Sequence, residues 1–142
     1  MRRVLILFTL LFVAVACSKG PSVVGKWQEV ETNFTTISIP VEYAFFADGT
    51  FTSLFQMESR KRNTRRRMES RGRYKVAGSQ IVFFDSKGRD RQWKSGKLVE
   101  DVRDASEGEE RMDFSVTDSV LKLTTFTKDG FKGDSLTFKR VR

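Results

Sequence analysis

The chain of 142 residues has no histidine and one cysteine. Without histidine it lacks the commonest general base and the commonest zinc ligand. With a single cysteine it cannot close a disulfide within itself, and no Cys/His metal spacing exists. No Gly-rich phosphate loop and no nucleophile elbow is present. The carboxylates of Asp85-Ser86-Lys87-Gly88-Arg89-Asp90 are interspersed with cations and lack the spacing of an EF-hand calcium loop. These absences argue against an enzyme, and no metal or other cofactor is implied. No apolar run reaches the ~20 residues a membrane-spanning helix needs, and no segment beyond residue 16 has convincing helical periodicity.

One apolar stretch is present. Met1-Arg2-Arg3 forms a positive start, and Val4 to Ala16 is a 13-residue apolar run broken only by Thr9. That is the pattern of a signal h-region. Ala14 and Ala16 stand at −3 and −1 from the lone Cys17. The same spacing suits an ordinary secretory cleavage after Ala16. A cysteine at +1 with no partner in the chain is better explained as an acylation site. Ala14-Val15-Ala16-Cys17 resembles the lipobox of bacterial lipoproteins, although Ala14 stands where that family usually has Leu, Val or Ile. The resemblance implies a signal peptide over 1–16, a fatty-acylated Cys17 and a membrane tether in the bacterial envelope. Ser18, which is not Asp, implies outer-membrane sorting. Cleavage there removes 16 of the 142 residues and two arginines, leaving 126 residues with a net charge of +6. This is one domain's worth of chain.

Residues 17–22 read as a flexible polar tether and 23–142 as the folded domain. Short β-rich runs separated by turn signals imply an all-β fold of eight to ten strands. Val41–Phe46 and Thr50–Met57 flank Asp48-Gly49, a strong hairpin signal. Phe51, Phe55 and Met57 share one face of their strand, with Ser53 between them. Ser95-Gly96 marks either another hairpin or a bulge in one long strand. Glu100 to Glu110 is so rich in charge that it reads as a solvated loop.

A sheet of so many sequential hairpins is best protected by closing on itself. Closure sets the first and last strands side by side. Gly25-Lys26-Trp27 resembles the Gly-x-Trp opening of lipocalins, and Arg140 stands where that family places an arginine against the tryptophan. Phe45–Phe51, Gly72–Val76 and Leu136–Val141 resemble recurring blocks of bacterial lipocalin-like domains. The resemblance implies an antiparallel up-and-down barrel closed by Trp27 and Arg140. It also implies a small apolar or amphipathic ligand, in a cup lined by Phe45, Phe51, Phe55, Tyr74, Phe83, Phe114 and Phe138. Aromatic stripes in a small barrel also serve simply as packing, so a filled interior is the competing expectation. Strict alternation carries Glu29 inward with Trp27, which requires either a bulge following Trp27 or a buried cation paired with Glu29.

The other feature is basic. Arg60, Lys61, Arg62, Arg65, Arg66, Arg67, Arg71 and Arg73 crowd into fourteen residues beside one acid, Glu69. Charge this dense predicts an extended loop, available to an anionic lipid surface, an acidic glycan or a protein. It is equally able to pair with the acidic stretch from Glu100 to Glu110. No aromatic residue lies within it to stack bases, so a nucleic-acid partner is not implied. Nothing in the sequence demands an oligomer, and a monomer is expected.

Overall fold

The computed structural model describes residues 22–30, 38–106, 108–126, 130 and 132–142. The expected signal peptide and Cys17 lie outside them, as does all of the expected tether except Ser22. Nine strands follow in chain order: β1 (Gly25–Glu29), β2 (Ser38–Phe45), β3 (Thr50–Ser59), β4 (Thr64–Ala77), β5 (Gln80–Lys94), β6 (Lys97–Ser106), β7 (Glu110–Val116), β8 (Val120–Phe126) and β9 (Lys132–Val141).

All pairings are antiparallel, and the sheet closes. Strand β1 pairs with β2 on one side and β9 on the other, while β4 pairs with β5. The circuit β1-β2-β3-β4-β5-β7-β8-β9 is an eight-stranded barrel, and β6 is one strand more. Strand β6 prolongs the line of β7, since both run against β5. Strand β7 faces residues 80–83 and β6 faces residues 86–94. The upper halves of β3, β4 and β5, with β6, therefore form a four-stranded wing beyond the short β7–β9 wall.

Two regions differ from the sequence expectation. The basic run is not a loop: only Arg60–Asn63 turns the chain, with Asn63 at φ 48°, and Arg65, Arg66, Arg67, Arg71 and Arg73 lie on β4. The like charges are tolerated because acids on neighbouring positions reach them. Arg66 binds Asp90 of β5, and Arg67 and Arg91 both bind Glu69. The charged stretch from Glu100 is likewise strand as far as Ser106, and β7 resumes at Glu110. Ser95-Gly96 resolves as a hairpin turn, both residues having positive φ.

The turn at Asp48-Gly49 forms as its residues require. Gly49 takes φ 82°, and the Asp48 carboxylate accepts hydrogen bonds from the Thr50 amide (2.9 Å) and hydroxyl (2.6 Å). Those bonds hold the Asp48 carboxyl below its ordinary pKa. The core lies at this end of the barrel. Trp27, Phe45, Phe51, Ile81, Phe83, Leu121, Leu123 and Phe138 are buried there, with Tyr74, Met112 and Val23 around them. The rings meet edge-on in Phe51–Phe83 at 4.8 Å, Phe45–Tyr74 at 5.0 Å and Tyr43–Phe138 at 5.5 Å between centroids, while Tyr43 and Phe45 stack at 5.7 Å. Each such pair contributes ~0.5–1.5 kcal/mol beyond burial.

Candidate functional site: a plugged floor, a cavity and a basic wing

The closed end is built as its residues suggest. Trp27 and Arg140 are direct partners on β1 and β9. The guanidinium carbon lies 4.2 Å from the indole centroid, and the Trp27 side chain is fully buried. Trp27 Nε1 donates to the Val23 carbonyl at 2.7 Å. The Arg140 fork donates in three directions, to the carbonyls of Asp118 (2.8 Å), Val24 (2.7 Å) and Ser22 (2.8 Å). One side chain thus ties the β7–β8 turn and the entering chain to the last strand. Gly25, at φ 137°, is needed for this, because a Cβ there would stand 2.5 Å from Arg140 Nη1.

The question raised by Glu29 has a local answer. Its carboxylate accepts from the Val41 amide at 3.2 Å, where the register of β2 shifts between Ile39 and Glu42. The bulge lies in β2 rather than after Trp27, and Glu29 has no ion-pair partner among the described residues.

Above the plug the interior is filled. Phe45, Phe51, Tyr74, Phe83 and Phe138 pack into one another, and Phe114 packs against them half-buried. None of the seven residues expected to line a cup borders the main cavity. The aromatic set is a floor, because rings large enough to line a narrow barrel also meet across it.

The filling stops at the next row. Trp27, Tyr43, Ser53, Ser70, Gly88 and Asp104 are consecutive partners across six strands. Trp27 places this row on the core face. Beyond Tyr43 its side chains are small, and a cavity of about 1090 Å³ is bordered by this row, its immediate chain neighbours and Val141 of β9. Those neighbours include Lys26, Arg71, Lys87, Arg89 and Arg103 against Glu42 and Glu69. Burial pushes the Tyr43 phenol up to about 12, with the Glu110 carboxylate adding to the effect, so it is a neutral donor at any physiological pH. Asp104 reaches across Gly88, where a Cβ would stand 2.3 Å from its Oδ1. Phe55, one core-face position beyond Ser53, is half-buried.

The wing carries most of the basic run. On its outer face the guanidinium carbons of Arg65 and Arg91 lie 4.4 and 5.5 Å from the centroid of the Trp93 ring. Arg89 holds Asp101 through two bonds of 2.8 and 2.7 Å. Those bonds keep the Asp101 carboxyl below its ordinary pKa, as Arg66 does for Asp90. For Glu69, burial pulls upward, but the bonds from Arg67 and Arg91 prevail and the pKa falls. Among the described acids in the stretch from Glu100 to Glu110, Asp101 pairs with Arg89 of the wing, while Glu109 binds Lys75 and Arg111. Among the described residues no group of three potential metal ligands occurs.

The residues of the cavity and wing that the sequence reading did not assign are the small row Ser53, Ser70 and Gly88 and the acids Glu69 and Asp90, while Asp101, expected to pair with the basic run, pairs with Arg89 of β5. Ser53 between Phe51 and Phe55 was a visible signal of a gap in an aromatic face. The others depend on cross-strand register. Compared with known proteins, the chain matches no protein-family model and no curated protein.

Proposed function

We propose that this protein is a bacterial envelope lipoprotein, tethered to the outer membrane through an acylated Cys17, whose lipocalin-like barrel holds a small amphipathic ligand. The observation that carries the binding role is the 1090 Å³ cavity directly above the aromatic floor. Its volume lies just above the ~300–1,000 Å³ usual for small-molecule sites. Tyr43 and the rings beneath it offer an apolar base. Ser53, Ser70 and Asp104 offer polar partners. An amphipathic molecule satisfies both, whereas a wholly apolar one leaves those polar groups desolvated.

The test has two parts on the full chain, expressed in a bacterium and extracted in detergent. Intact mass should show loss of residues 1–16 and a diacylglycerol-type addition at the new N-terminus. An uncleaved or unacylated chain refutes the tether. Titration with cis-parinaric acid should give saturable one-to-one fluorescence enhancement. Ser53→Phe with Ser70→Leu continues the aromatic layer into the cavity and should abolish it. Unchanged binding by that variant, with an unchanged circular dichroism spectrum, refutes the cavity as the site.

A further inference from the structure

The outer face of the wing presents an array of cations more regular than a solvated surface requires. By register, Arg65, Arg67, Arg71, Lys87, Arg89, Arg91 and Arg103 share that face with three carboxylates, Glu58, Glu69 and Asp101. Three pairs of like charges stand directly opposite one another: Arg67 with Arg91, Arg71 with Lys87, and Arg89 with Arg103. Directly opposed like charges destabilise a sheet. Two of these pairs are relieved within the chain, Arg67/Arg91 by Glu69 and Arg89 by Asp101. Arg71, Lys87 and Arg103 have no ion-pair partner among the described residues. They occupy adjacent same-face rows on β4, β5 and β6. The Nε groups of Arg67 and Arg91 are also buried with no acceptor among the described residues.

We infer that this face binds a polyanionic glycan, with Arg71, Lys87 and Arg103 as its uncompensated centre. A linear polymer with repeated sulfate, phosphate or carboxylate groups matches cations set at strand spacing, ~5 Å across the strands and ~7 Å along them. Arginine's planar fork suits such oxyanions. A bilayer is the weaker match. Trp93, the large aromatic of this face, is flanked by Arg65 and Arg91, and the exposed Leu98 and Val99 sit beside the β5–β6 turn, off the array. A protein partner is weaker too, because protein interfaces are built around an apolar centre depleted of charge. The inference rests on the envelope reading only for where such a polymer is met, since the array itself belongs to the fold.

The test uses the full chain in a non-ionic detergent, with immobilised dextran sulfate as probe and neutral dextran as blank. Binding should be tight at low salt and weaken steeply as salt rises. Arg71→Ser/Lys87→Ser/Arg103→Ser should weaken it about thirtyfold, at about threefold for each exposed cation removed. Lys122→Ser/Lys132→Ser/Lys139→Ser, an equal charge change on β8 and β9, should weaken it less than threefold. Equal losses in the two variants overturn the inference, because binding then follows net charge alone. Vesicles of phosphatidylglycerol that bind as tightly as dextran sulfate, with the same dependence on the three residues, overturn it in favour of a membrane. A protein that fails to bind cis-parinaric acid but passes this test refutes the cavity and leaves the wing standing.

Discussion

Removing the Arg140 side chain should cost more stability than any other single change on the barrel's surface. The guanidinium loses its stack on Trp27, worth ~0.5–2 kcal/mol. It also loses three charge-assisted bonds, to the carbonyls of Ser22, Val24 and Asp118. Water replaces the partner at each carbonyl, so each bond is worth about 1 kcal/mol net. Arg140→Ala should therefore destabilise by about 3–5 kcal/mol, which lowers the Tm of a domain this size by about 10–15 °C. Arg140→Lys keeps the charge over the ring but not the three-way fork, and should recover less than half of that. Urea unfolding followed by far-UV circular dichroism gives both values without relying on tryptophan fluorescence. A double-mutant cycle with Trp27→Phe isolates the stack, with an expected coupling of about 1 kcal/mol. A loss under 0.5 kcal/mol for Arg140→Ala would show a solvated edge residue and refute the plug.

Three further outcomes follow from the same contacts. Gly25→Ala places a methyl where Nη1 of Arg140 now lies, in a backbone conformation at φ 137° that alanine rarely adopts. It should destabilise by about 1–3 kcal/mol and add little to Arg140→Ala in the double variant. Asp48, Glu69, Asp90, Asp101 and Glu109 all have lowered pKa values. Their stabilisation is complete above the ordinary carboxylate range and is lost as pH falls through the lowered values, so acid unfolding should begin below about pH 4 and shift upward in Glu69→Gln/Asp90→Asn. Tyr43 and Tyr74 are raised, Tyr43 to about 12, chiefly by burial. Stability from Tyr43 is complete below pH 10 and lost as pH rises toward 12, so absorbance at 295 nm should show Tyr43 un-ionised at pH 10 in the folded protein and Tyr74 ionising later than a free tyrosine.

What the sequence made legible was local or repetitive. Asp48-Gly49 between aromatic runs specifies its hairpin by turn chemistry alone. Alternation placed Phe51 with Phe55 on a common face. Gly25, Trp27 and Arg140 pointed to a closure that the β1–β9 ladder supplies. The charged segments were misread for one reason. Along the chain, Arg65-Arg66-Arg67 has no relief. In the sheet, Arg66 meets Asp90 and Arg67 meets Glu69, which Arg91 also grips. Relief from another strand is visible only once register is known, and register here turns on a bulge. The cavity was hidden likewise: Ser53 marks a gap in one aromatic face, but Ser70 and Gly88 are unremarkable until register brings them into its row.

That bulge gives the most demanding prediction. Below it, Tyr74 faces Phe83 and the odd residues of β5 point into the core. Above it, Ser70 faces Gly88 and the even residues do. Between Arg71/Lys87 and Arg73/Phe84, β4 spans one residue and β5 spans two, so Asp85, at φ 52°, lies in the added length. The extra residue reverses the inside and outside of everything after it. Without it, Lys87, Arg89, Arg91 and Trp93 would turn toward the cavity, and Ser86, Gly88 and Asp90 would turn outward. Deleting Asp85 should therefore remove cooperative unfolding, because burying several cations costs more than a domain's net stability of ~5–15 kcal/mol. Asp85→Gly suits the positive φ and should leave stability within about 0.5 kcal/mol of the parent or raise it, whereas Asp85→Val should lose about 1–2 kcal/mol. Thermal unfolding by circular dichroism separates the three. A deletion variant that melts at the parental Tm would mean that the wing's two faces are interchangeable, and both the cavity row and the cation array would lose their basis.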